Sequence, residues 1–273
     1  PIRDDADIGM IIMESDYFVP MSGSNIMCTV TVALETGIVP MKEPETVVRV
    51  DTPAGLVEVV AECRDGKCKR VAFRNIASFV MHRDKTIEVP GVGSIRVDVA
   101  YGGMIYCLVE SQDVGIGLSR DEARDLVDLG ERIKAAAAEQ LPSIHPENSA
   151  IHTVNQTEFV GPIEVIDGVK TSKNAVIVSP GRIDRCPCGT GTSARMALLH
   201  ERGELGVGEV FRHTSIIDTA FDCHIVEAAS VGNLPAVIPI VSGRAWLTGI
   251  SHYGVDPEDP FPQGYRLSDT WFQ

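Results

Sequence analysis

Residues 184–203 read Asp184-Arg-Cys-Pro-Cys-Gly-Thr-Gly-Thr-Ser-Ala-Arg-Met-Ala-Leu-Leu-His-Glu-Arg-Gly203. Cys188 stands behind a proline and directly before Gly189-Thr190-Gly191-Thr192, and the apolar segment that follows stops at Gly203. This order predicts a tight turn that presents the thiol, then a helix entered with its first amides unpaired. Such a helix start lowers a thiol's pKa and draws an anionic group to the same spot. Free cysteines are most often inert core residues. The polar Gly-Thr flanks point instead to a Cys188 that works as a base or nucleophile, with a lowered pKa.

The arrangement recurs earlier in the chain. Pro20-Met21-Ser22-Gly23-Ser24-Asn25 leads into Ile26-Met-Cys-Thr-Val-Thr-Val-Ala-Leu34 and then Gly37. The β-branched residues of this run favour a strand, whereas Gly37 followed by Pro40 is a helix stop. The comparison decides for a helix: Ser22 lies fifteen residues before Gly37, as Cys188 lies fifteen before Gly203. This reads as an internal repeat of a loop–helix unit. It would place Ser22 and Cys188 at equivalent points of two pseudo-symmetric lobes, both at helix N-termini and facing one cleft.

The remaining chain fits around these units. Residues 8–13, Ile-Gly-Met-Ile-Ile-Met, are expected as a buried strand. Between 46 and 110, strands are expected at 47–50, 56–60, 70–73, 94–99 and 104–109, with turns at Pro53-Ala-Gly55, Asp65-Gly66 and Pro90-Gly-Val-Gly93. Ser119-Arg-Asp-Glu122 is a capping box that opens a helix to Gln140, with Ala123, Leu126, Val127, Gly130 and Ile133 on one face. Strands follow at 151–154, 157–160 and 174–179 and, after the second helix, at 211–217, 221–226, 236–241 and 244–248. The tail, 254–273, is expected to be extended. The fold class is α+β. One lobe, residues 1–118 together with 252–273, carries Ser22, and the other, 119–251, carries Cys188. The chain opens at Pro1 without a starting Met, so a preceding segment is expected.

Composition narrows the function. The 273 residues carry a net charge of −14, which argues against a nucleic-acid partner. No apolar run reaches the length of a membrane span. Seven cysteines scattered over the chain do not read as a disulfide framework, so a cytoplasmic location is expected.

One cysteine and one serine at matching helix N-termini suit proton abstraction next to a carboxylate. A base works on one face, and free helix amides hold the developing charge. Serine is a poor base, so the pair reads as one base and one helper. Gly189-Thr-Gly-Thr-Ser193 lacks the lysine and spacing of a phosphate-binding loop. A cysteine hydrolase would need a nearby histidine; His200, His213 and His224 read better as ordinary residues. Cys186 and Cys188 lack companion metal ligands, and Cys63 and Cys68 read as hairpin cysteines. Asp184 is either a turn residue or a partner for a cationic amine.

At these residues the chain resembles the proline racemase superfamily, which includes hydroxyproline epimerases and trans-3-hydroxy-L-proline dehydratases. The stretch Asp184–Arg195 is similar to the family's second catalytic-cysteine motif, and Ser242–Gly249 and Gly264–Asp269 also look like this family. The likeness runs from residue 8 onward. It implies a diaminopimelate-epimerase-like fold of two lobes, each of strands wrapped around a central helix. It implies no cofactor, no metal and a small imino acid as partner, with a homodimer as the assembly entertained. Cys188 would be the catalytic base and acid, Gly189 and Thr190 would bind the substrate carboxylate, and Asp184 would meet the ring nitrogen. Ser22, Gly23 and Ser24 fall where racemases carry Cys-Gly-His. That departure implies dehydration of trans-3-hydroxy-L-proline to 1-pyrroline-2-carboxylate, with 4-hydroxyproline 2-epimerase side activity. The alternatives are a dedicated 4-hydroxyproline 2-epimerase or proline racemase, and a non-catalytic amino-acid-binding relative.

Overall fold

A computed structural model describes residues 1–13 and 18–265. The N-terminal part holds β1 (Ile8–Gly9), β2 (Ile12–Met13), β3 (Phe18–Val19) and the helix α1 (Gly23–Glu35). Then come β4 (Glu45–Thr52), β5 (Gly55–Arg64), β6 (Lys67–Arg74), β7 (Ser78–Val89), β8 (Gly93–Tyr101) and β9 (Ile105–Glu110). A second helix, α2 (Ala123–Gln140), precedes β10 (Gln156–Val160), β11 (Glu164–Ile166), β12 (Val169–Val178) and β13 (Arg182–Ile183). The third helix, α3 (Gly189–Glu201), is followed by β14 (Val210–Thr214), β15 (Ala220–Val231) and β16 (Leu234–Gly243). The class is a mixed, strand-rich one with few helices.

Alternation builds the strands. In β4, Thr46, Val48, Val50 and Thr52 are buried while Glu45, Val47 and Arg49 are exposed, the signature of a half-buried strand. The β5–β6 hairpin turns at Asp65-Gly66, both with positive φ (56° and 68°), as the favoured two-residue turns require. Cys63 and Cys68 face each other across that hairpin as free thiols.

One large sheet runs in the order β1-β4-β5-β6-β16-β15-β14-β12-β10-β9-β8-β7, with β11 and β13 also on β12. Because β7 pairs back onto β16, with Ala236 opposite Phe79, the strands from β16 round to β7 close into a barrel-like ring, which removes open edges. The helix α2 packs on β7, β10 and β12 through Leu126, Leu129, Ile133, Ala136 and Ala137. The helix α1 packs on β5 and β6, burying Ile26, Met27, Val30, Ala33 and Leu34 at the spacing of one helical face. The helix α3 is different: eleven of its residues, Gly189 to Leu199, are buried. It is covered on all sides by β7, β8, β9, β15 and β16.

Both Ser22 and Cys188 are helix N-caps, and both helices run for thirteen residues. Each ends before a glycine of positive φ, Gly37 at 77° and Gly203 at 72°, as the helix-stop reading requires. Three strand expectations need correction. Residues 8–13 split between a parallel pairing on β4 and a short pairing with β3, with Ile11 and Met13 exposed, so they form an edge. Residues 151–154 are not a strand; β10 starts at Gln156, after Asn155 takes the Ile105 amide on its side-chain oxygen (3.1 Å). Residues 244–248 are not a strand either, because pairing on β6 stops at Gly243. The Glu122 carboxylate also departs from the capping box, accepting from Gly117 N (2.8 Å) and Ser119 Oγ (2.7 Å). A 3-10 turn at Arg120–Glu122 therefore precedes α2. The tail residues 254–265 are irregular, and the rest of the tail, 266–273, lies outside the described residues.

The turn between β8 and β9 presses on the start of α3. A Cβ placed on Gly102 would strike the Thr190 carbonyl and lie 2.6 Å from Ala194 N. Gly102→Ala is therefore expected to cost about 2–3 kcal/mol by overpacking, read as a lower urea midpoint. An unchanged midpoint would show that this contact does not hold α3 in place.

Candidate active site

The first turns of α1 and α3 meet. A Cβ on Gly189 would lie 3.0 Å from the Cα of Gly23, and a Cβ on Gly23 would lie 3.0 Å from the Cα of Gly189. Phe73 closes the space beneath both glycines. Only residues without side chains fit there, so two positive helix ends are brought to one place.

Above this contact lies a cavity of about 440 Å³ lined by Ser22, Gly23, Ser24 and Asn25 from one side and Asp184, Cys188, Gly189 and Thr190 from the other. All seven residues singled out in the sequence therefore lie on one cavity wall or the other. Its walls also include Met104, Tyr106, Gln156, Val178 and Arg182. None of the three candidate histidines lines it. His213 is fully buried behind α3, on Thr192 Oγ1 (2.9 Å), and His200 bonds the Leu205 carbonyl (2.8 Å).

Cys188 takes φ 60°, ψ 113°, a region that favours glycine and stores strain in any other residue. Two donors on the preceding carbonyl hold that turn: Thr192 Oγ1 (3.1 Å) and Asn174 Nδ2 (2.7 Å) both reach Pro187 O. Asn75, itself buried, donates to Gly102 O and to Ser193 Oγ (both 2.8 Å), and Ser193 Oγ donates to Gly189 O (2.8 Å). The turn that bears Cys188 is thus fixed from the barrel strands on one side and from within α3 on the other.

The Cys188 sulfur lies 3.3 Å from the Tyr106 hydroxyl, which in turn is 2.6 Å from Thr190 Oγ1. The amide of Cys188 points to Cys186 Sγ (3.4 Å). On the other wall, Asn25 Nδ2 donates to Ser22 Oγ (2.8 Å). Since that bond occupies a lone pair of Ser22, its hydroxyl proton is free to be donated elsewhere.

The expectation of a lowered Cys188 pKa is corrected here. Burial pushes the thiol well above its ordinary value, and the charges of Asp184 and Cys186 push the same way. The Tyr106 hydroxyl and the Gly191 amide pull it down without offsetting that rise. Desolvation of a buried residue (Cys188 is 7 % exposed) outweighs the helix start. Burial and Asp184 likewise push Cys186 up to about 12.

Sequence reasoning missed Tyr106, which sits in an apolar run whose side-chain direction is set only by β8 and β10 on either side of it. It also missed Gln156 and the buried carboxyl of Glu158, which accepts from Asn174 Nδ2 (2.7 Å). Burial raises Glu158 to about 7, against the pull of Asn174 and Arg195. A Gln-Thr-Glu run at the head of a fully buried strand was the available signal.

The model that describes the family "Proline racemase" matches residues 1–266. A probable proline racemase from Agrobacterium radiobacter, solved with bound carbonate, is 42 % identical with a TM-score of 0.90; the match covers 99 % of this chain and 79 % of that one. A hydroxyproline epimerase from Agrobacterium vitis, solved with bound trans-4-hydroxy-L-proline, is 38 % identical with a TM-score of 0.87, over 96 % of this chain and 75 % of that one. A PhzF-family phenazine biosynthesis protein from Bacillus anthracis, 13 % identical over 89 % of this chain and 79 % of that one (TM-score 0.55), shares the fold.

The direction of the Cys188 shift sets its reactivity. Only thiolate reacts with iodoacetamide, so labelling of the Cys188 peptide is expected to climb steadily from about pH 7 to 9 without a plateau, because a raised pKa keeps the thiol protonated there. Asp184→Asn removes a charge that opposes the thiolate and is expected to speed labelling, whereas Tyr106→Phe removes a donor and slows it. Peptide mass spectrometry reads each rate. A rate already flat at neutral pH would show a pre-ionised thiol.

Proposed function

The chain belongs to the proline racemase family, and from that premise we propose that it takes the α-proton of a cyclic imino acid and epimerises 4-hydroxyproline at C2. The observation that carries this reading is the cavity between two helix N-termini, with Cys188 on one wall and Ser22 on the other.

The substrate carboxylate is placed at the first-turn amides of α3, at Gly189 and Thr190, with Gly23 and Ser24 opposite. The cationic ring nitrogen is placed against Asp184. That docking offsets the Asp184 charge, which after burial is the next cause holding the Cys188 proton in place. The thiol gives its proton to bulk water as the substrate enters, and the thiolate forms next to the new positive charge. Cys188 then removes the α-proton. Charge developing on the carboxylate is met by preorganised amides, and the sulfur is steadied by Tyr106. For epimerisation a proton must arrive on the other face. Ser22 supplies it, and the Asn25 amide that already donates to Ser22 Oγ (2.8 Å) stabilises the resulting alkoxide. The return direction uses the same alkoxide as base.

A second reading is favoured by one observation, the serine itself. A hydroxyl is a weak partner for a two-base reaction, whereas dehydration needs one base only. With trans-3-hydroxy-L-proline, Cys188 takes the α-proton and Ser22 donates to the departing 3-hydroxyl. Water leaves, and the enamine tautomerises to 1-pyrroline-2-carboxylate. Both readings take the chain as two lobes, 1–118 with 252–273 and 119–251. The matched Ser22–Gly37 and Cys188–Gly203 units support two lobes, while the ring that β7–β9 close with β10–β16 around α3 argues for counting residues 78–110 with the Cys188 lobe.

Proton NMR in D₂O tests the assignment with trans-4-hydroxy-L-proline, trans-3-hydroxy-L-proline and L-proline in parallel. Deuterium at the α-carbon of 4-hydroxyproline with appearance of its epimer is the expected result; pyrroline carboxylate from the 3-hydroxy isomer identifies the dehydratase. Cys188→Ser is expected to lower turnover by about 10³-fold or more, while Ser22→Ala lowers it by about 10²–10⁴-fold, the range for losing one acid–base group. Wild-type protein that exchanges none of the three would end the proposal.

A further inference from the structure

Among the described residues, seven buried side-chain atoms lack a hydrogen-bond partner, and six of them belong to residues away from the cavity walls. The seventh is Gln156 Oε1. Gln156 is 4 % exposed and lines the cavity beside Met104, Tyr106 and Val178. Its amide nitrogen lies 3.6 Å from Met104 Sδ, a weak acceptor that suits an N–H and not a carbonyl. The amide is therefore oriented with its carbonyl oxygen unpaired. A buried carbonyl left without a donor is unfavourable, and an apolar residue at this position would avoid that cost.

The residues already assigned to the imino acid account for its charged groups. The carboxylate is taken by the helix starts and the ring nitrogen by Asp184, and Cys188 and Ser22 face the α-carbon. Gln156 stands apart from these on β10, in a part of the wall otherwise made by Met104, Tyr106 and Val178. Tyr106 is already committed to Cys188 and Thr190. Among the described residues, the unpaired side-chain acceptor in that part of the wall is the Gln156 carbonyl. On a hydroxylated imino acid whose ring N–H groups face Asp184, the ring hydroxyl is the donor that remains for it.

We infer that Gln156 is the specificity-determining residue that accepts a hydrogen bond from the ring hydroxyl of the substrate, so that the site selects hydroxylated over plain cyclic imino acids. This inference rests on the reading of function above. A site built to bond a hydroxyl rejects the analogue without it far more strongly than an apolar wall does, because the buried acceptor then stays unpaired. Filling the wall with an apolar side chain of similar length removes the acceptor and the selectivity together.

The test compares wild type with Gln156→Leu and Gln156→Met, using trans-4-hydroxy-L-proline and trans-3-hydroxy-L-proline as substrates and pyrrole-2-carboxylate, which carries no ring hydroxyl, as inhibitor. The variants are expected to lose about 10–100-fold in kcat/KM toward the hydroxylated substrate, the size of one buried hydrogen bond. The inhibition constant of pyrrole-2-carboxylate is expected to shift by less than about threefold, which also shows that the site remains folded. Equal losses for substrate and inhibitor would overturn the inference by showing a general packing role. So would unchanged kcat/KM in both variants. Wild-type protein that neither turns over nor binds any of these compounds would sink the functional reading itself, and this inference with it.

Discussion

The contact of Gly23 with Gly189 is the constraint on which the site depends. A helix start exposes amides that carry partial positive charge, and these are most useful to an anion when two of them converge. Convergence requires backbones to approach to van der Waals distance. Here a Cβ at either glycine would lie 3.0 Å from the Cα of the other, so side chains are excluded from the meeting point. The candidate site hangs from it: Ser22 one residue before the first glycine, Cys188 one residue before the second, and the cavity between them.

Much of this was legible in the sequence, because glycine and proline mark local backbone events. Gly37 and Gly203 mark helix ends by their left-handed φ, and the equal spacing back to Ser22 and Cys188 overrode the strand propensity of Val30-Thr-Val32. Turn residues such as Asp65-Gly66 found their hairpin in the same way. The misreadings have a different cause. Residues 244–248 have strand composition, yet a strand exists only where it is paired, and the pairing of β16 on β6 ends with Gly243 opposite Val71. The strand β7 was overlooked because Arg83-Asp84-Lys85 interrupts its apolar pattern. Its bulges at those positions let the charges face outward while Phe79, Ile87 and Val89 stay buried. The roles of Tyr106 and Gln156 depend on which face of a buried strand meets the cavity, and in strands covered on both faces alternation carries no such information.

The sign of the Cys188 shift shows where local reasoning stops. From sequence, a cysteine at a helix start is activated by the helix. In the folded protein α3 is covered on all sides, and burial of Cys188 removes the solvation a thiolate needs. The two effects compete, and burial wins. A resting thiol beside Asp184 is then a consequence of the architecture. On the proposed reading, a positively charged ring nitrogen beside Asp184 shifts that balance toward the thiolate.

The polar face of β10 extends the same logic inward. Gln156 lines the cavity, and two residues on, with the same direction of side chain, Glu158 lies beneath α3. Glu158, Asn174, His213 and Thr192 form a fully buried polar group in a region that an apolar core would fill more cheaply. His213 is held near a pKa of about 3 by burial and by Arg195, so it enters that group as a neutral ring. The reward is position. Asn174 and Thr192 both end on the Pro187 carbonyl, the atom that must be fixed if Cys188 is to keep its positive φ. Strain at one residue is thereby balanced by hydrogen bonds from a strand and a helix that the chain brings together only on folding. The reactive turn and the barrel beneath it are in this sense one structure, and the thiol keeps its place because polar groups were buried to hold it.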